Sequence, residues 1–366
     1  MKLQIDKNIL LDAINITLKA VPVKTTSSIL KCLLIDASTE QIQISATDNE
    51  LGIKTVAKGM IEEHGMIAVN ADIFSNIVRK LPDGMIFLST DKESLMICCE
   101  KIKISILGFD GMEFPSLPEV KREHEVVLSQ FSLKELITKT LFSISSSESN
   151  VMMTGELFEV NGQILRAVSL DGHRISIRNV ELKKNYDNQK VIIPGKSLSE
   201  LSKILSSNMD REVNLYFSQN HALFSFDDTV VVTRLIEGTY FNVDRMVAID
   251  SKTKIRINRN EFLSCLERSA LLVREEEGKP LILDIKDEEM GIHIRSAMGN
   301  MDENIFIEKE GEDLTIGFNP KFLLDALRAI EEEEVDIYFE SPRSPASIKD
   351  NQNYCYLILP INFISV

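Results

Sequence analysis

The sequence predicts an α+β protein of three tandem, similar domains, and three observations predict it. The apolar helix pattern Leu10, Ala13, Ile14, Leu18 recurs as Leu133, Leu136, Ile137, Leu141 and again as Phe262, Cys265, Leu266, Ala270. A second pattern, Phe74, Ile77, Leu81, returns as Leu198, Leu201, Leu205 and as Leu323, Ala326, Ile330, each copy preceded by a short apolar strand (IAVN, VIIP, TIGFN). Every copy ends in a meander of alternating runs split by polar turns: MIFLSTDKESLMICCEKIKISILG, VNLYFSQNHALFSFDDTVVVTRLIEG and VDIYFESPRSPASIKDNQNYCYLILPI. A repeat of about 125 residues is long enough to bury its own core, unlike the shorter unit of a solenoid.

Taken in order, each domain opens with a strand (KLQID, EVVLS, KIRIN) that leads into its first helix, expected at 7–21, 130–143 and 259–274. Apolar residues three and four apart put one stripe of each helix against a core. The second helices fall at 71–81, 195–205 and 320–330, and strands outnumber helices throughout. Connectors at 108–125 and 237–253 place the domains at 1–122, 123–251 and 252–366.

Composition narrows the class. The chain is 44% hydrophobic and 27% charged, as soluble globular proteins are. Its first residues lack the apolar run of a secretory signal, and stretches such as 354–361 are too short to span a bilayer, so a soluble cytoplasmic protein with no membrane partner is expected. Cys32, Cys98, Cys99, Cys265 and Cys355 have no ligand-like spacing. They are expected to be reduced thiols, with Cys98 and Cys99 on opposite faces of one strand, and neither metal nor cofactor is expected.

The formal net charge of −15 argues against a nucleic-acid partner, but its distribution argues for one. Each of the six helices carries one net positive charge, so the acidic excess lies elsewhere. Arg79, Lys203 and Arg328 occupy the same aligned position in the second helix of all three domains. One basic helix is ordinarily a solvated face, and six concordant ones weaken that explanation. With helices inside and sheets outside, a mildly basic inner layer suits backbone contact with a duplex, indifferent to sequence, while the acidic exterior repels nucleic acid.

The runs TTSSILKCLLIDA, SATDNELGI, FSNIVRKLP, FPSLPE, LRAVSLDGHRISI, IIPGKSLSELSKIL, TRLIEG and NPKFLLDALRAI resemble, in order and over essentially the whole chain, the bacterial DNA polymerase III beta subunits, the sliding clamp family. That resemblance implies the DNA clamp fold and a head-to-tail homodimer whose six domains ring duplex DNA. It implies a nucleoid-associated processivity factor that performs no chemistry. Implied DNA contacts fall on Lys24, Arg79 and Lys196, with Lys203 and Arg328 added by the repeat. Implied partners are double-stranded DNA, the DNA polymerase III alpha subunit, the clamp loader, and other polymerases and repair proteins that carry clamp-binding peptides.

The family's peptide cleft would be built here from Met153, Leu170, Gly172, His173, Arg174, Ile175, Phe241, Arg245, Met246, Asn319, Phe322, Pro345, Leu357, Ile358, Leu359, Pro360 and Ile361. Aliphatic and Met side chains suit repeated use by different partners. The run LILPINFISV also reads as an ordinary core edge strand, and the resemblance favours the cleft. The chain departs from the family at TYFNVD, where Phe241 and Val243 replace a Pro and an aromatic, and at its tail, where Asn362 and Phe363 replace an Arg and a Leu. Asn150, Val151 and Met152 stand where family members often carry aromatic or Arg residues near DNA.

Ring closure would bring Ile104 and Ile106 of an edge strand against Leu271 and Leu272 of the opposing subunit. Catalysis is not expected, because Asp171, His173 and Arg174 come with no nucleophile motif or second metal ligand. Gly278 and Lys279 lack the full phosphate-loop pattern and read as a turn, and Glu331 to Glu334 reads as a solvated helix end. The competing function is a peptide-binding scaffold that never encircles DNA.

Overall fold

The computed structural model describes residues 1–147, 149–247, 251–273, 280–350 and 353–362. Gly278, Lys279 and Phe363 lie outside them. Seven α-helices occur among the described residues: α1 (Lys7–Thr17), α2 (Ala71–Lys80), α3 (Gln130–Thr138), α4 (Gly195–Ile204), α5 (Asp244–Val247), α6 (Arg259–Ala270) and α7 (Pro320–Ala329). Six are the expected ones. The short α5 falls in a stretch that reads as a connector.

Local chemistry fixes where the helices begin. Asp6, Asn70, Asn258 and Asn319 each end or follow a strand, and their side chains accept from N–H groups of the first turn of α1, α2, α6 and α7. A second device repeats at the far end of the first helix of each module. The fully buried hydroxyls of Thr17, Thr140 and Ser269 donate to the carbonyls of Ala13, Leu136 and Leu266 at 2.9, 2.6 and 2.8 Å. The apolar stripes are buried as expected: Leu10, Ile14, Leu133, Leu136, Ile137, Phe262 and Cys265 are each at most 1% exposed.

The chain divides into two compact units. The first comprises 1–134, 183–187 and 196–236. Its strands form one sheet, and the described pairings are antiparallel: 126–129, 212–217, 221–226, 229–234, 51–57, 42–47, 32–36, 66–70, 102–110, 94–99, 85–91, 2–6 and 59–63. Thr229–Thr233 pairs with Leu51–Thr55, so the second meander continues the first module's sheet. Helices α1 and α2 pack on each other, and α1 covers the strand Leu51–Ala57. Residues 102–107 bond to 94–99 on one side only, which makes them an edge.

The second unit comprises 135–182, 188–195 and 237–366. One sheet runs 155–170, 174–194, 354–358, 346–350, 334–339, 253–258 and 308–311, and a second runs 299–306, 289–296, 281–286 and 314–318. Helices α6 and α7 pack over a core that includes Phe262, Leu266, Phe318, Leu323 and Tyr356. Arg174–Arg178 pairs with Tyr354–Ile358, the counterpart of the pairing between 51–55 and 229–233.

The five cysteines are free, and Cys32, Cys99 and Cys265 are buried. Burial pushes the Cys32 and Cys355 thiols up to about 11, so at neutral pH they stay protonated and unreactive.

Candidate functional site

The repeated basic position survives folding. Arg79, Lys203 and Arg328 are all exposed on α2, α4 and α7, and Lys24 is exposed in the loop after the first helix. Lys203 pairs with Glu200 at 2.6 Å, Arg328 pairs with Glu267 at 2.9 Å, and Arg79 donates to Asn76 at 3.3 Å. Pairs made by exposed cations are worth little, even with the half-buried Glu200, so each cation can exchange its partner for a phosphate at small cost. Lys196 differs. It pairs at 2.5 Å with Asp48, whose side chain is only 8% exposed. Burial works against that carboxylate, but Lys196 and the N–H groups of Leu51 and Glu50 outweigh it and hold its pKa below the usual range.

The residues expected to form a peptide cleft all lie in the second unit, and sheet pairing gathers several of them. Ile175 is opposite Leu357, and Leu359 donates its N–H to the His173 carbonyl at 2.8 Å. Ala346 is opposite Ile358, which puts Pro345 at the level of Leu359. The His173 ring stacks on Phe322 at 6.2 Å, and Ile361 donates to the Gly317 carbonyl at 2.8 Å, next to the start of α7. Asn319 is committed to capping α7.

Depth sorts these residues into two groups. Leu170, Arg174, Leu357 and Ile358 are buried and form a floor, whereas Gly172, His173, Arg245, Met246 and Leu359 are exposed. Met153, Ile175, Phe241, Phe322, Pro345, Pro360 and Ile361 are half-buried between them. Arg174 is therefore a support beneath the other residues, a depth that the sequence did not assign to it. It pairs with Asp171 at 2.9 Å and Asp325 at 2.7 Å, donates to the Phe142 carbonyl, and lies over the Phe322 ring at 4.4 Å. Burial opposes its charge, but Tyr356, Asp325 and Asp171 hold its pKa above the usual arginine value. Asp171 also accepts the N–H groups of His173 and Arg174, so its carboxylate is spent on the turn.

The segment 237–246 is anchored from below. Tyr240, 4% exposed, donates to the Gly155 carbonyl at 3.4 Å and packs edge-on to Phe241. Asp244 pairs with Arg166 at 2.7 Å, and a side chain at Gly238, where φ is +138°, would press on Met152. Next to Gly155 sits Glu156, fully buried, with its carboxyl oxygen 2.5 Å from the Thr140 hydroxyl oxygen. Burial pushes its pKa from 4.5 up to about 8, so it is neutral at pH 7.

Glu156 carries a pH prediction. The folded state holds a proton that the unfolded chain gives up, so this contribution is complete below pH 4.5 and is lost as pH rises toward 8, at about 1.4 kcal/mol per unit. Glu156→Gln should flatten that slope and raise the urea midpoint at pH 8. Parallel pH profiles for the two proteins would refute it.

The N-terminal, central and C-terminal domain models of the DNA polymerase III beta subunit match residues 1–118, 127–242 and 245–362. The beta sliding clamp of Bacillus subtilis is 33% identical over 377 residues, covering 99% of each chain. The chain belongs to the beta sliding clamp family. The Staphylococcus epidermidis beta sliding clamp is 32% identical over 99% of both chains. Among solved structures, one from Eubacterium rectale assigned to the DNA polymerase III beta subunits has a TM-score of 0.96 at 52% identity over 99% of this chain and 100% of its own. The B. subtilis clamp gives 0.95 at 32% identity, with both chains fully covered. The fold is thus the three-domain clamp fold, and the sliding clamps are processivity factors of DNA polymerase.

Against that family background, the candidate subunit edges stand out. Ile104 and Ile106 are half-buried on the edge strand, whereas Leu107 on the same strand is 81% exposed and Leu271 after α6 is 77% exposed. Residues 299–306 form a second open edge, with Phe306 61% exposed. The sequence analysis did not single out Leu107 or Phe306. Their signal was an apolar residue at a strand end that alternation assigns to solvent.

Proposed function

We propose that two copies of this chain close head to tail into a ring around duplex DNA. The ring slides without reading sequence and tethers a polymerase through the cleft of the second unit. Full-length membership of the clamp family carries this reading, and the same exposed cation in every module supports it. Lys24, Arg79, Lys196, Lys203 and Arg328 are the proposed phosphate contacts. A closed ring turns weak contacts into long residence, since escape needs an open interface or a DNA end.

The proposed partners of the cleft are the DNA polymerase III alpha subunit, the clamp loader and other proteins with short apolar clamp-binding peptides. His173, Phe322, Ile175 and Leu359 are the surface they would meet, and Met246 and Phe241 the adaptable side. Among the described residues no helix is long and apolar enough to cross a membrane.

Topology supplies the test. Protein loaded on a nicked circular duplex should stay bound until the circle is cut, and then run off the ends. A scaffold that never encircles DNA would not respond to linearisation. Closure itself is tested at the two exposed edges. Leu271→Asp with Leu272→Asp should give monomers in analytical ultracentrifugation, because charges would then face the apolar strand 102–107. Persistent dimers would exclude this interface.

A further inference from the structure

The pairing that builds the cleft occurs twice. In the second unit Leu359 donates to the His173 carbonyl at 2.8 Å, and Ile175 is opposite Leu357. In the first unit Arg234 donates to the Glu50 carbonyl at the same 2.8 Å, and Gly52 is opposite Val232. Gly52 and Val232 are thus the counterparts of Ile175 and Leu357, and this copy is occupied. The connector crosses it, with Leu117 seated on Gly52, where an added Cβ would collide with the leucine tip. Both ends of the segment are anchored. Phe114 is buried with Cys32 and Ala68, and Val120 packs on Tyr216, Leu223 and Val232. Beside the segment remains a cavity of about 660 Å³, lined in part by Leu34, Met66, Leu223 and Val230.

This copy keeps an aliphatic residue in Val232 at the place of Leu357, but has Gly52 at that of Ile175 and Arg234 at that of Leu359. The position of Phe322 is held by Ser197, which takes a hydrogen bond from Thr233 at 2.7 Å, and that of His173 by Glu50. We propose that the first unit contains a second peptide-docking site, closed by the chain's own residues 114–120. Its occupant class is an extended segment with a leucine anchor between prolines, the chemistry of FPSLPE itself. The inference rests on the reading of the open cleft as a peptide site. A tethered segment acts at an effective concentration of order millimolar, so a free peptide competes only at millimolar concentration unless the resident leucine is weakened.

The probe is a free peptide of residues 112–121 titrated calorimetrically into the full chain. Leu117→Ala, which trims one half-buried side chain, should bind one equivalent more than the unaltered chain. Adding Gly52→Ile should abolish that extra equivalent by filling the seat. Phe322→Ala separates the two readings: it removes whatever binds the open cleft and leaves the extra equivalent in place. The same stoichiometry for Leu117→Ala and the unaltered chain would overturn the proposal. On the unaltered chain, millimolar peptide should also speed amide exchange in residues 114–120 at least several-fold; unchanged protection would overturn it as well.

Discussion

Replacing Arg174 with Ala is expected to lower the stability of the second unit by about 3–5 kcal/mol, the cost of breaking a buried ion pair from one side. The guanidinium is 7% exposed and faces two carboxylates that are themselves largely covered, Asp171 at 13% and Asp325 at 22%. Without it two like charges remain close together, the Phe142 carbonyl loses a donor, and Phe322 loses the cation over its ring. The urea midpoint should fall sharply, and peptide binding at the cleft should weaken with it, since Phe322 and the 171–174 turn share this support. Adding Asp171→Asn and Asp325→Asn should recover part of the loss by removing the stranded charges. A midpoint shift worth under 1 kcal/mol would show that the cluster is not holding the cleft.

Reversing Arg79, Lys203 and Arg328 to Glu should shorten retention on circular DNA by well over tenfold at moderate salt, with peptide binding altered less than twofold. Each phosphate contact contributes about 0.9 to the slope of log affinity against log salt, and a ring of two copies carries each position twice, so the triple change should lower that slope by up to about 5. The fold should survive, because Arg328 and Glu267 are both exposed and Lys203 is exposed beside a half-buried Glu200, so each pair lost is worth at most about 1 kcal/mol. Full retention in a folded, dimeric triple variant would exclude these helix positions as the DNA contacts. Lys196 should behave differently, since its reversal also strands the nearly buried Asp48.

Much of the fold was legible because its signals are local. Helix stripes, alternating meanders and the thrice-repeated frame depend only on spacing, and the structure places helices at all six expected positions. Arg79, Lys203 and Arg328 were also readable, since an exposed residue on a helix keeps the position its sequence spacing assigns. Other features had no such signal. The buried hydroxyls of Thr17, Thr140 and Ser269 share one repeat position, yet Thr and Ser differ enough to hide the pattern. Short α5 lies in a stretch with turn composition.

The sequence by itself determined the modular frame, the family and the position of the repeated cations, since all three follow from residue order. Tertiary structure alone decided depth and partnership. It put Arg174 beneath the cleft between Asp171 and Asp325, neutralised Glu156 by burying it, tied Lys196 to Asp48, and laid Leu117 on Gly52. Each of those outcomes depends on residues far apart in the chain. Desolvation and pairing energies are set by what surrounds a group in space, and spacing along the chain carries no record of them.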